Sequence, residues 1–143
     1  MTFKFKLESV LDWRKTKEGE AMLEVQYAKE SLKEEEDKLN ILLVENTYVE
    51  EDLTSGSIDK MRQATLYKEI LNDKLRVQRH MVSIAEENLL NKNDELIESH
   101  KELLVIEKLK DRRLNEYEEA EKKKEQSELD EFSILRYNRD YGW

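Results

Sequence analysis

The 143-residue chain contains no proline, no cysteine and only three glycines. Proline interrupts helices because it has no amide hydrogen and clashes with the preceding turn, so its absence permits very long helices. Without cysteine, neither disulfide bonds nor thiolate chemistry is available, which fits a reducing compartment. These absences exclude a disulfide-stapled fold and favour extended helical structure.

The chain also lacks long hydrophobic runs. No apolar stretch approaches the roughly 20 residues that a membrane-spanning helix needs. The first seven residues carry two lysines but no continuous apolar segment follows, unlike a secretory signal peptide. We therefore expect a cytoplasmic protein without membrane insertion.

Residues that support catalysis are scarce. The two histidines, His80 and His100, are separated by twenty positions, or roughly 30 Å along a helix, too far to share a metal ion. There is no glycine-rich phosphate loop and no nucleophile-elbow serine motif. We expect no enzymatic activity, no metal site and no cofactor.

Charged residues make up 41% of the chain, with a net charge of −9. An acidic surface disfavours nucleic acid as a partner, because phosphates are bound by basic side chains. Such a composition is also compatible with disorder. The sustained heptad pattern described next favours a folded helical chain instead.

A narrow apolar stripe, which we call the seam, runs through the first third of the sequence. Its members alternate in spacing between four and three residues, and ten of the fourteen are apolar: Leu7, Leu11, Arg14, Glu18, Ala21, Val25, Ala28, Leu32, Glu35, Leu39, Leu42, Asn46, Val49 and Leu53. This spacing is typical of a helix that packs against another helix. It predicts a first helix over about residues 5–53.

The pattern breaks at Thr54-Ser55-Gly56-Ser57 and then resumes. The second series is Leu71, Leu75, Gln78, Val82, Ala85, Leu89, Lys92, Leu96, Ser99, Leu103 and Ile106. Gly56 can end one helix and Ser57 can cap the next, which predicts a second helix over about 58–137. A short connection makes the helices antiparallel neighbours, so we predict an all-α fold: a single-domain antiparallel coiled-coil hairpin with a longer C-terminal helix.

Seven seam positions are polar: Arg14, Glu18, Glu35, Asn46, Gln78, Lys92 and Ser99. Polar seam residues fix the register of a coiled coil at a cost in stability. Alternatively, long polar side chains project outward to solvent, and we expect this for most of them.

Three further features indicate docking surfaces. A second apolar stripe, formed by Leu66, Ile70, Val77, Met81 and Ile84, favours contact with another protein or with a second copy of the chain. Apolar residues from Leu129 to Tyr137 have no partner in a simple hairpin. The alternating Phe3-x-Phe5-x-Leu7 segment either docks on a partner or caps the open end of the coil.

Both ends of the sequence resemble the FliJ family of the bacterial flagellar type III export apparatus. Residues 3–14, FKFKLESVLDWR, resemble that family's F-x-F-x-L-x-x-V-L-x-x-R opening. Residues 107–113, EKLKDRR, and 125–131, EQSELDE, resemble its EKL-x-x-R region and the following EQ-x-x-LDE segment. The order and placement of these motifs are more specific than any one of them.

The resemblance implies a soluble antiparallel coiled coil that acts as a stalk at the cytoplasmic face of the inner membrane. Its paired ends would insert into the ring of the export ATPase, FliI, and promote its assembly. The chain would also contact the export gate protein FlhA and export chaperones. Carried onto this sequence, the residues that contact the ATPase ring are Phe3, Phe5, Leu7, Leu11, Arg14, Lys108, Lys110, Arg112, Arg113, Gln126, Asp130 and Glu131. The residues that contact the export gate are Leu66, Ile70, Val77, Met81 and Ile84.

Two other functions remain as alternatives. One is the equivalent stalk of a virulence type III secretion system, which shares this architecture. The other is a generic coiled-coil scaffold or holdase chaperone that dimerises through the stripe between Leu66 and Ile84.

Overall fold

The computed structural model describes residues 2–140. This range contains two α-helices, α1 (Glu8–Ser55) and α2 (Ile58–Asp140), and no strand. The predicted all-α fold with a longer C-terminal helix is confirmed. The final Tyr141-Gly142-Trp143 lies outside the described residues.

The helix boundaries follow from local backbone chemistry. The first helix begins at Glu8 rather than near residue 5. Residues 2–5 have no regular secondary structure and residues 6–7 form a turn, in which the amide of Glu8 donates to the carbonyl of Phe5 at 3.2 Å. At the connection, the Ser57 hydroxyl accepts from the amide of Lys60 at 3.3 Å and caps α2. A Cβ at Gly56 would lie 2.7 Å from the carbonyl oxygen of Asp52. Glycine is therefore required there, because any side chain would collide with the backbone.

The chain divides into two compact units. The central unit comprises Lys17–Ser99, and the terminal unit combines the residues up to Thr16 with those from His100 onward. Each unit contains parts of both helices. The single-domain organisation stays a prediction, and the units are described separately below.

In the central unit the two helices run antiparallel along the predicted seam. Val49, Ala64, Leu71 and Leu75 form a buried cluster, and Leu71 is fully buried. The partly buried leucines packed against this cluster are Leu39, Leu42, Leu43 and Leu53. Burial of a leucine or valine side chain contributes roughly 1.5–3 kcal/mol, so this narrow row of apolar contacts stabilises the unit.

Polar seam residues of the central unit form hydrogen bonds and ion pairs across the interface. The Gln78 amide donates to the backbone carbonyl of Glu35 at 2.8 Å and to its carboxylate at 2.6 Å. The Lys68 ammonium donates to the Asn46 side chain, and the Lys92 ammonium lies 3.3 Å from the carboxylate of Glu24. For these residues the structure favours register-fixing contacts over simple projection into solvent.

Within residues 2–140, neither helix combines the length and the apolar character that crossing a bilayer requires.

Candidate functional site

In the terminal unit, the first residues of the chain fold against α2. We call residues 2–7 the N-terminal strap. Phe5 of the strap is 8% exposed and packs with Leu11 and Leu103 in a buried cluster. The cluster is extended by the partly buried Phe3, Leu7, Ile106 and Leu109. The strap therefore caps the end of the helix pair, as one of the two interpretations of its alternating pattern predicts.

The aromatic side chains of the strap match the spacing of α2. The Arg113 guanidinium lies 5.9 Å from the ring centroid of Phe5, and the ring centroids of Phe3 and Tyr117 are 5.5 Å apart. In an extended chain, residues two apart, such as Phe3 and Phe5, are separated by roughly 6.6 Å. In a helix, residues four apart, such as Arg113 and Tyr117, are separated by about 6 Å along the axis. Alternate residues of the strap can therefore contact every fourth residue of α2. This match explains why an alternating segment packs along a helix without forming a strand.

Two ion pairs fix the register of the terminal unit. The Lys110 ammonium lies 2.9 Å from the Glu8 carboxylate, and Arg14 pairs with Glu102 on the opposite helix. The Nε of Arg14 is buried with no hydrogen-bond partner. Because all four side chains keep substantial exposure to water, such pairs add little stability. Their main effect is to align the two helices.

The end of the terminal unit is basic, although the whole chain is acidic. The strap and α2 residues 103–117 together carry six basic and three acidic side chains. Lys108, Arg112 and Arg113 are exposed, and Arg112 forms an ion pair with Glu116 at 3.4 Å. Partial burial, followed by the carboxylate of Glu121, raises the pKa of Tyr117. This end therefore presents positive charge beside aromatic rings.

The structure brings together nine of the twelve residues expected to contact the ATPase ring. They are Phe3, Phe5, Leu7, Leu11, Arg14, Lys108, Lys110, Arg112 and Arg113. The other three, Gln126, Asp130 and Glu131, lie farther along α2, where Gln126 donates to Asp130 at 3.0 Å. Phe5 and Leu11 are buried in this arrangement. Their side chains therefore pack inside the terminal unit and do not form part of its exposed surface.

The C-terminal segment of α2, residues 122–140, is exposed at every position. Its large apolar side chains, each at least 56% exposed, are Leu129, Phe132, Ile134, Leu135 and Tyr137. At about 100° per residue, these five side chains are distributed over roughly 260° of the helix circumference. A single flat surface cannot cover such a distribution, which requires contacts on several sides of the helix.

The second candidate surface lies in the central unit. Leu66, Ile70, Val77, Met81 and Ile84 are each 46–63% exposed, as expected for residues off the seam. Val77 also lines a surface hollow with Leu42 of α1. The stripe therefore lies beside the groove between the two helices.

Residues of α1 extend this stripe, although they are not among the surface residues that the sequence pattern indicated. The Tyr67 hydroxyl donates to the carboxylate of Glu45 at 2.9 Å, which places both side chains on one side of the seam. Ile41 and Tyr48 lie four residues before and three after Glu45, and Ile70 lies three after Tyr67, so all share that side. Ile41 and Tyr48 are 61% and 64% exposed. Ile41 and Tyr48 are seven residues apart, and this heptad spacing is the signal that could have identified them. We call the combined surface, formed by these two residues and the stripe of α2, the two-helix apolar face.

No cluster of potential metal ligands occurs within residues 2–140. No curated protein and no solved structure shows a significant match to the chain. The family model described as the flagellar FliJ protein matches residues 3–141, which is nearly the whole sequence. The chain, with its basic end and exposed C-terminal segment, therefore belongs to the FliJ family and is a component of a flagellar-type protein export apparatus.

Proposed function

We propose that the protein is a non-enzymatic stalk of the flagellar type III export apparatus at the cytoplasmic face of the inner membrane. It inserts into the ring of the export ATPase, FliI, promotes ring assembly, and links the ring to the export gate and to export chaperones. The observation that carries this proposal is the distribution of apolar side chains around residues 122–140. A helix with apolar groups on several sides is stabilised when protein surrounds it, and the central hole of a ring provides such an environment.

The basic end of the terminal unit provides the second part of the ring contact. Lys108, Arg112 and Arg113 are exposed and are suited to acidic loops of the ATPase. The carboxylates of Asp130 and Glu131, with Gln126, supply polar contacts farther along α2. In the free chain Phe5 and Leu11 hold the two helices together beneath this surface.

The two-helix apolar face is the proposed contact for the export gate protein, FlhA. Leu66, Ile70, Val77, Met81 and Ile84 are joined by Ile41 and Tyr48 on one side of the seam. Exposed apolar surface of this extent marks protein interaction sites. Seven side chains are fewer than the roughly 20–30 residues that each partner contributes to a stable interface. A transient partner therefore fits this face better than a permanent dimer.

The same exposed face is also the surface on which a second candidate function would depend, a scaffold or holdase that dimerises through it. Light scattering separates the two functions. A stable dimer at low micromolar concentration supports the scaffold, and a monomer supports the stalk.

Charge reversal tests the ATPase contact. We expect Arg112→Glu combined with Arg113→Glu to reduce stimulation of the cognate export ATPase while the helical circular dichroism signal is kept. The matched control is Arg62→Glu with Arg79→Glu, two exposed arginines of the central unit, which should leave stimulation intact. Unchanged stimulation in the first variant would count against the proposal.

The gate contact is tested separately. Ile70→Asp with Val77→Asp should weaken binding to the cytoplasmic domain of the gate protein by at least tenfold. Leu90→Asp with Ile97→Asp is the control, because these residues are comparably exposed at 62% and 52% but are not part of the two-helix apolar face. Equal losses in both variants would show that apolar surface in general, and not this face, drives the binding.

A further inference from the structure

The strap occupies a place on α2 where a helix would also fit. In the terminal unit, Leu103, Ile106, Lys110, Arg113 and Tyr117 continue the alternating three- and four-residue spacing of the seam. Leu11 packs against the beginning of this row. The strap covers the remainder in an extended conformation, with Phe5 beside Arg113 and Phe3 beside Tyr117. This part of α2 thus keeps the pattern of a helix-pairing surface but is covered by a non-helical segment.

The strap adds positive charge to this part of the chain. Lys4 and Lys6 lie in the strap, and the adjoining segment of α2 contains Lys108, Lys110 and two arginines. Two of these four side chains already form ion pairs, Lys110 with Glu8 and Arg112 with Glu116. An acidic helix at the same place would bring further carboxylates to this basic segment and be attracted to it. The strap itself is held mainly by the packing of Phe3 and Phe5.

We propose that the strap is an intramolecular placeholder, which covers the α2 row from Ile106 to Tyr117 in the free chain and yields it to an acidic amphipathic helix of a partner. The partner helix would place apolar side chains on Ile106 and Leu109. Its carboxylates would lie beside Arg113 and beside Lys110, where they would compete with Glu8 for the ammonium group. Only the identity of the partner rests on the proposed function, in which the export ATPase supplies this helix. The competition between strap and helix is a property of the chain itself.

A synthetic peptide tests the competition without the export apparatus. The probe is a four-heptad helix with leucine at its seam positions and glutamate at its exposed positions. Because the natural chain has no cysteine, nitroxide labels can be attached specifically to Thr2→Cys and Glu118→Cys, both exposed sites near the Phe3–Tyr117 contact. Peptide binding is expected to increase the distance between the labels. Absence of binding, or binding with an unchanged distance, would overturn the proposal.

Three variants make the test specific. Phe5→Ala loosens the strap and should tighten peptide binding about tenfold, because a less occupied site lowers the conformational cost of binding. Cross-linking Thr2→Cys to Glu118→Cys with a short bismaleimide should abolish binding, whereas the same variant without cross-linking should bind normally. Lys110→Glu with Arg113→Glu should lose binding, whereas the control Lys122→Glu with Lys124→Glu should retain it. Weaker binding by Phe5→Ala in a chain that remains folded, or binding by the cross-linked chain, would show that the strap is a fixed structural cap.

The export ATPase is then tested with the same variants. If the cross-linked chain stimulates the ATPase as well as the open chain does, the ATPase is not the partner that displaces the strap. If neither stimulates it, the proposed function fails, and the peptide experiment still decides whether the strap is a placeholder.

Discussion

Gln78 of α2 crosses the seam of the central unit and donates both to the backbone carbonyl and to the carboxylate of Glu35, at 2.8 and 2.6 Å. A polar pair at this position holds one alignment of the two helices, because shifting either helix would leave the groups unsatisfied in a partly dry interface. The polar pair therefore fixes the register of the two helices, but it stabilises them less than apolar residues would.

Substitutions at this pair should separate stability from register. We expect Gln78→Ala to lower the free energy of unfolding by about 1 kcal/mol, because the donor to Glu35 is lost. The double variant Glu35→Leu with Gln78→Leu should be about 1–2 kcal/mol more stable than the natural chain, since apolar residues replace a partly buried polar pair. Urea unfolding followed by circular dichroism measures both changes. A double variant less stable than the single variant would contradict this account.

Replacement by alanine should have different effects on stability at buried and at exposed leucines of α2. Leu71 is fully buried in the central cluster, whereas Leu66 is 63% exposed. Leu71→Ala should therefore cost about 2–4 kcal/mol, through lost burial and the cavity left behind. Leu66→Ala should change stability by no more than about 0.5 kcal/mol. Comparable urea midpoints for the two variants would refute the assigned packing.

Alkaline solution should destabilise the central unit. A hydrogen bond to Glu24, and then one to Glu95, raise the pKa of Lys92, while a hydrogen bond to Glu45 raises the pKa of the Tyr67 phenol. Both groups bind their protons more tightly in the folded chain, so their stabilising contribution is present below pH about 10 and is lost as pH rises through the raised pKa values. We expect the urea midpoint to fall above pH 10. The fall should be smaller in the variant Lys92→Met with Tyr67→Phe.

The C-terminal segment should be dispensable for folding but not for function. A chain that ends after Glu121 loses only exposed positions among the described residues, so the free energy of unfolding should change by less than about 1 kcal/mol. Its stimulation of the export ATPase should fall sharply, because the proposed ring contact is removed. A full-length control with Leu129, Phe132 and Leu135 replaced by serine should show the same loss. Full stimulation by either chain would exclude this segment as the ring contact.

Much of the fold could be predicted because heptad spacing directly reports which side of a helix is covered. Every seam position between Leu7 and Leu53, and every member of the second series from Leu71 to Ile106, is buried or partly buried. The break at Gly56 was likewise evident, because glycine followed by serine combines a helix end with a cap.

Features that depend on cross-seam alignment could not be predicted. Whether Gln78 meets Glu35 is decided by a connection of two residues, and a shift of one position would change each pairing. The same alignment places Tyr67 opposite Glu45, and so puts Ile41 and Tyr48 on the same side of the seam as Ile70. The two-helix apolar face could therefore not be recognised from either helix alone. The packing of the strap was also ambiguous, because an alternating aromatic segment is equally suited to docking on a partner and to capping the open end of the coil.

The two-residue connection at Gly56 also has a consequence for how this chain could assemble. Since a side chain at position 56 would strike the Asp52 carbonyl, a single substitution there favours straightening of the bend. The freed halves would then complete their pairing with those of another molecule, because the contacts between them are the same within one chain or between two. We therefore expect a substitution at Gly56 to favour an exchanged dimer over a self-contained folding unit.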